Sequence, residues 1–325
     1  MNKILIPTLL GIVLLSVIRA ITLPGAMSGI SYLFTPDWGQ LSNPRIWLEA
    51  LTQNAWDTGA GWGLFLTYAI YIRKRYGIIK NAFTTAICNN VVSLLAAIMV
   101  FSTVFSILGN EMGMAKGEIL EVMRTSGPAA TGLTFIWMPQ LFATIPLGNV
   151  FMVLFFSALA FAAFTSLIAM VELVTRVLID LNMSRKQSAV IVGVGAFLLG
   201  FPSSVSLIIL RNQDWVWGMA LMLSGLFFAI AVMKYGVRKF RECQLNHESS
   251  DIRIGSWWDL TIRFIVPIEA SVLFFWWLGQ ARSLDPVGWL SPFGDANVGT
   301  VLVQIGLALV VLIVANRWLV SRTRT

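Results

Sequence analysis

The sequence predicts an all-α integral membrane protein, one bundle over 1–325 with about eight transmembrane helices. Three observations predict it. Hydrophobic residues make up 57% and charged residues 12% of the chain, with a mean hydropathy of +0.77; soluble domains carry about 25% charged residues. Apolar runs of the roughly 20 residues that cross a bilayer recur from end to end. The basic residues sit in short runs between those stretches, and far more of them on one side than on the other.

The first span is read over 4–23. Lys3 before an apolar run resembles a signal peptide, but Arg19 stands where small residues should precede a cleavage site, so the run is taken as a span. The second, 45–72, carries Gly59, Gly61 and Gly63 in its middle. Glycine weakens a helix, and a break there frees backbone groups that lipid cannot satisfy. A broken helix near Gly59–Gly61 is therefore expected. The third and fourth spans, 78–108 and 147–179, exceed the bilayer's need and should tilt or project. Spans at 187–209, 213–236, 258–280 and 297–319 complete the set.

Two connections stand out. Residues 109–146 carry Glu111, Glu118, Glu121 and Arg124, then a less polar half with Trp137 and Pro139. A loop of this length is usually functional, and its apolar half predicts an extracellular lid-like segment folded back on the bundle. Residues 237–256 form a basic loop. One side holds Lys3, Arg73, Lys74, Arg75, Lys80, Arg176, Arg185, Lys186, Lys234, Arg238, Lys239, Arg241, Arg253, Arg317, Arg322 and Arg324. The other holds Arg19, Arg45, Lys116, Arg124, Arg211 and Arg282. The richer side is the cytoplasmic one, which puts both termini in the cytoplasm of a multi-pass protein of the cell membrane. Trp38, Trp47, Trp257, Trp258 and Trp289 lie near span ends, where amphipathic rings settle.

Several functions are excluded. The net charge of +7 belongs to cytoplasmic loops and does not indicate nucleic acid. The single histidine, His247, rules out a histidine metal site or triad. Cys88 lies in an apolar span and Cys243 in the basic loop, which argues against a disulfide. No phosphate-binding loop, metal constellation or nucleophile elbow is present, so neither an enzyme nor ATP-driven transport by this chain is expected.

A charge inside a span is a functional hypothesis by default. Asp57 sits beside the glycine break, with Gln53 one turn before it on the same face. It could neutralise sodium, replace a bound anion or carry a proton; the alternative is a structural carboxylate held by backbone donors. Asn89 and Ser93 share a face of the third span, as hard oxygen ligands or as interhelical glue. Ala162, Thr165, Ser166 and Met170 share a face of the fourth, as a cation site or as small-residue packing. Asp214, near Arg211, and Asp180, near Arg185 and Lys186, sit at span ends as gate residues or solvated caps. Trp56 and Trp62 flank the break, lining a pocket or only packing there.

These residues carry a resemblance. Gln53-Asn-Ala-Trp-Asp-Thr-Gly-Ala-Gly-Trp-Gly63, continued to Lys74, resembles the sixth helix of the neurotransmitter:sodium symporters. Ala86-Ile-Cys-Asn-Asn90, Phe161-Ala-Ala-Phe-Thr-Ser166 and Ser184-Arg-Lys186 are similar to later segments of that family. The resemblance implies part of an inverted-repeat symporter fold, the family's helices five to twelve, and sodium-dependent symport of an amino acid or similar small solute. It implies that Ala162, Thr165 and Ser166 belong to one sodium site, and Asn89 with Asp57 to another. Gln53, Asp57 and Ser93 fall at chloride-site positions. Trp56, Gly59, Trp62 and Met170 match the substrate pocket, with Trp56 at its lid. Asp214 matches the external gate, and Tyr68, Tyr71 and Asp180 the cytoplasmic one.

Two departures matter. Asp57 is a carboxylate where chloride-dependent members have a neutral group, so chloride is expected not to be required. The family's first four helices have no counterpart here. The expectation is an N-terminally incomplete transporter, or else a non-transporting scaffold or a subunit whose missing helices come from a partner chain.

Overall fold

A computed structural model describes residues 2–57, 59, 61–71, 77–124, 131–144, 146–247, 250, 252–294 and 297–323. Among them there is no strand. The helices in chain order are α1 (Asn2–Ile21), α2 (Ala26–Phe34), α3 (Pro44–Asp57), α4 (Leu64–Tyr71), α5 (Ile78–Val104), α6 (Lys116–Arg124) and α7 (Thr131–Ala143). They continue as α8 (Gly148–Asp180), α9 (Arg185–Val205), α10 (Leu207–Tyr235), α11 (Val237–Phe240), α12 (Trp257–Leu260), α13 (Val266–Leu284) and α14 (Val298–Thr323).

Among the described residues six helical stretches are long and apolar enough to cross a membrane, beginning at Ile78, Gly148, Arg185, Leu207, Trp257 and Val298. A seventh arises if the bent pair Ile6–Ile21 and Ala26–Ser42, which meet at 106°, makes one span. The stretch expected to cross at 45–72 is divided into α3, of 14 residues, and α4, of 8. Neither reaches across a bilayer alone. Apolar side chains cover the outside, as with Leu199 at 83% and Val314 at 77% exposure. That pattern suits a lipid solvent rather than water. The chain is thus a multi-pass helical membrane protein.

The chain divides into two compact units. The first comprises Met1–Asn43 and Ile87–Leu167. Its core gathers Ile12, Val17 and Ala20 of α1, Met99 and Val104 of α5, and Met138, Leu141 and Phe142 of α7. The α1–α2 corner turns on Gly25 at φ +78°, where a Cβ would meet the Asn110 Cβ at 2.8 Å. A Cβ at Gly29 would stand 2.4 Å from the Phe101 carbonyl oxygen, so α2 crosses α5 backbone to backbone. Beyond Val104 the chain widens into a π-helical segment, Phe105–Glu111, with four buried residues in succession. The stretch 109–146 then folds into α6 and α7. Arg19, in the last turn of α1, donates Nη2 to the Thr144 carbonyl at 2.8 Å just past α7. It thereby places a cation where a helix end leaves carbonyls unpaired and negative.

The second unit comprises Pro44–Ala86 and Ile168–Thr325 and is organised on α10, which packs against α9, α11, α13 and α14. Ser184 caps α9, its Oγ accepting from the Gln187 amide at 3.4 Å. The α9–α10 connection is a single residue, Ser206, shorter than the three residues expected between the spans at 187–209 and 213–236. The basic loop also folds. Arg241 grips Asp259 with Nε and Nη2 at 2.8 and 3.1 Å, and these bonds raise the guanidinium further above its ordinary value. Asn246 and Ile254 exchange two hydrogen bonds of 2.8 Å, and Phe240 stacks on Trp258.

Candidate functional site

In the second unit Gln53, Gly59 and Trp62 lie at the break between α3 and α4, and Met170 lies on a helix that the break contacts. Pro44 opens α3, where a missing N–H costs nothing and φ is already helical. The helix stops at Asp57, and Gly59, Gly61 and Gly63 follow with φ of +68°, +80° and +73°. Three left-handed residues in alternation cannot continue a right-handed helix. The end of α3 therefore presents carbonyls and the start of α4 presents amides.

The break is docked. Ser224 of α10 donates to the Gly61 carbonyl at 2.8 Å. A Cβ on Gly61 would lie 2.3 Å from the Leu221 carbonyl oxygen and 2.8 Å from the Gly225 nitrogen. On α8, Leu173 Cδ2 stands 2.9 Å from a Cβ built at Gly63, and Thr67 donates to the Ala169 carbonyl at 3.4 Å. Met170 is the next residue along and is half-buried. The structure thus brings the break and Met170 onto elements in contact. Trp62 is half-buried, Gln53 and Tyr68 are exposed, Asp180 is the exposed last residue of α8, and Asp214 is exposed near the start of α10. The side chains of Trp56, Asp57 and Tyr71 lie outside the described residues.

In the first unit, Ala162, Thr165 and Ser166 converge on one turn of α8. Both hydroxyls donate to the Ala162 carbonyl, at 2.8 Å from Thr165 and 3.3 Å from Ser166. Three neutral oxygens on one helical turn form a donor set that suits a hard monovalent cation. Asn89 and Ser93 are half-buried on α5, and the Asn89 Nδ2 is buried without a hydrogen-bond partner among the described residues.

One group at this end of the second unit was not singled out from the sequence. Glu172, on α8 two residues past Met170, is only 16% exposed. It accepts from Arg176 Nε at 2.9 Å and from both terminal nitrogens of Arg185 at 3.1 and 2.9 Å. A signal was present, an acid inside an apolar run with an arginine four residues on. In the sequence both arginines read as charges of the cytoplasmic face, which masks their shared partner. Glu172→Gln is expected to cost about 1–3 kcal/mol, between the surface and fully buried limits. Asp180→Asn should stay within about 0.5 kcal/mol. Thermal midpoints in detergent would distinguish them, and equal midpoints would contradict the pairing's importance.

A family model described as the sodium:neurotransmitter symporter family matches residues 1–321. An uncharacterized sodium-dependent transporter of Methanocaldococcus jannaschii is 31% identical over 280 residues, 84% of this chain and 55% of its own length. Sodium-dependent nutrient amino acid transporter 1 of Drosophila mojavensis is 28% identical over 304 residues, covering 89% of this chain and 45% of the relative. The same transporter of Drosophila erecta is 29% identical over 317 residues, 94% and 47%. The chain spans about half the length of the curated relatives it matches.

Proposed function

The chain belongs to the sodium:neurotransmitter symporter family, and on that premise we propose that its protein is a sodium-coupled symporter of amino acids or similar small solutes. It is a transporter and not an enzyme. The observation that carries the reading is the docked glycine break. It offers carbonyls to a cation and amides to a carboxylate at one level of the membrane. The eight-span topology counts α3 and α4 together as one interrupted crossing, beside the bent pair and the six long helices. Both termini are cytoplasmic in the cell membrane, as the placement of lysine and arginine supports.

The roles follow from the residues. The Ala162 carbonyl with Thr165 and Ser166 binds one sodium ion. Asn89 with Asp57 binds another. Trp56, Gly59, Trp62 and Met170 line the solute pocket. Gln53 and Ser93 take the other chloride-site roles and Asp57 supplies the negative charge there, so chloride is dispensable. Asp214 closes the pocket outside; Tyr68, Tyr71 and Asp180 close it inside. Sodium and solute bind together because the ion fixes the oxygens that shape the pocket. Its binding therefore shifts the population of the solute-competent state. Residues 109–146 serve as an extracellular lid.

The experiment is uptake, run on the protein taken from its native membrane after its intact mass has been measured. A mass above 35.9 kDa by about 12–15 kDa would correspond to four further helices at roughly 30 residues each. Reconstituted in vesicles, the protein should accumulate labelled amino acids only under an inward sodium gradient. Accumulation that persists with potassium in place of sodium would refute symport. No binding or uptake by a 35.9 kDa product would favour a subunit that needs a partner chain.

A further inference from the structure

The start of α10 is held in one rotational setting. A helix turns about 100° per residue, so relative to Asn212 at 0°, Val216 lies near 40°, Asp214 near 200°, Trp215 near 300° and Met219 near 340°. The sector around Asn212 is engaged throughout. Val216 and Met219 are buried, and Trp215 stacks on Trp277 of α13 at 4.4 Å. Asn212 donates Nδ2 to the Gly294 carbonyl and to Thr300 Oγ1, both at 3.1 Å. Gln304, one turn along α14 from Thr300, donates Nε2 to Asn212 Oδ1 at 2.8 Å and to Thr300 at 3.2 Å. Its own Oε1 accepts from Gln213 at 3.2 Å. Asp214 points away from all of this and is exposed.

The α14 side of the clamp is itself fixed. Asn297, 2% exposed, accepts from the Thr300 amide at 3.1 Å and donates to the Gly288 carbonyl at 2.9 Å. A Cβ on Gly299 would fall 2.2 Å from the Leu290 carbonyl oxygen, so the first turn of α14 is wedged against the preceding segment. Rotation of α10 would strand three hydrogen bonds that Asn212 makes outside its own helix. Orphaned amides are costly where water is scarce, so a single setting is preferred.

We propose that this amide clamp aims Asp214, with Gln304 as the positioning residue. The functional consequence rests on the reading of Asp214 as the external gate; the aim itself does not. The test uses the full chain in vesicles with Cys88→Ala and Cys243→Ala, and a reporter cysteine at Asp214→Cys labelled by a membrane-impermeant maleimide. Val287→Cys, on the connection before α14, serves as the control reporter. Gln304→Leu should slow labelling at position 214 by roughly two- to fivefold, within the limit that one hydrogen bond's shift of the equilibrium sets, and leave position 287 unchanged. Unchanged labelling at 214 overturns the proposal. If Gln304→Leu fails to insert, Thr300→Val, which deletes one acceptor, decides by the same readout. The gate reading is tested apart: normal sodium-driven uptake by Asp214→Asn would refute it and leave the clamp standing.

Discussion

Gly61→Ala is expected to lose much of the protein's stability and heat resistance, because two independent costs fall on one methyl group. The backbone at Gly61 has φ +80°, which side-chain-bearing residues rarely adopt. Such strain costs about 1–3 kcal/mol. The added carbon would also lie 2.3 Å from a carbonyl oxygen and 2.8 Å from an amide nitrogen of α10. Those are backbone atoms and cannot swing aside, so overpacking adds about 1–3 kcal/mol and separates Ser224 from its acceptor. Together these costs take a large fraction of a typical stability of about 5–15 kcal/mol. Gly193→Ala is the control, since nothing lies within 4 Å of a Cβ there. Alanine favours a helix over glycine by about 1 kcal/mol, so this variant should be as stable as the parent or more so. Size-exclusion profiles after graded heating in detergent would compare the two. A Gly61→Ala protein as heat-resistant as Gly193→Ala would mean that the break is not docked on α10 as described.

Asp57→Ser is expected to abolish uptake in chloride-free medium and to restore part of it when chloride is added. The reasoning is electrostatic. A nearby negative charge stabilises a sodium ion in a low-dielectric interior, and a fixed carboxylate or a bound halide supplies one. Serine keeps an oxygen and removes the charge, so on the proposed assignment an added anion has to supply it. The measurement is sodium-driven uptake with gluconate or chloride as the anion. Parent uptake that collapses in gluconate would overturn the assigned role, as would a variant indifferent to both the substitution and the anion.

Much of the architecture was legible because lipid imposes a simple code. Long apolar runs announced the six long helices, and three glycines in alternation announced the break between α3 and α4. The turn that joins Ala162, Thr165 and Ser166 was visible because one helical period places all three oxygens together. What escaped notice was carried by neutral groups or by partners distant in sequence. Asn212, Gln213 and Gln304 have no charge to flag them, and their meeting spans about 90 residues. Glu172 was hidden by its arginines, which read as surface charges until Arg185 folded back onto it. The stretch 109–146 looked like a loop because its polar half dilutes the helical pattern. It contains α6 and α7, and α7 supplies Met138, Leu141 and Phe142, among the most deeply buried side chains.

The bond from Arg19 to Thr144 reaches across 125 residues, and the unit it closes is interleaved in sequence with the other. A ribosome releases about 5–20 residues per second. On that clock the first helix waits roughly 6–25 s after its synthesis before the carbonyl that receives its guanidinium exists. Meanwhile α3 and α4 enter the membrane without the later helices against which they and their break pack. Insertion and assembly are therefore separate events for this chain, and a nascent protein halted before residue 144 exposes an uncompensated arginine to whatever holds it during synthesis.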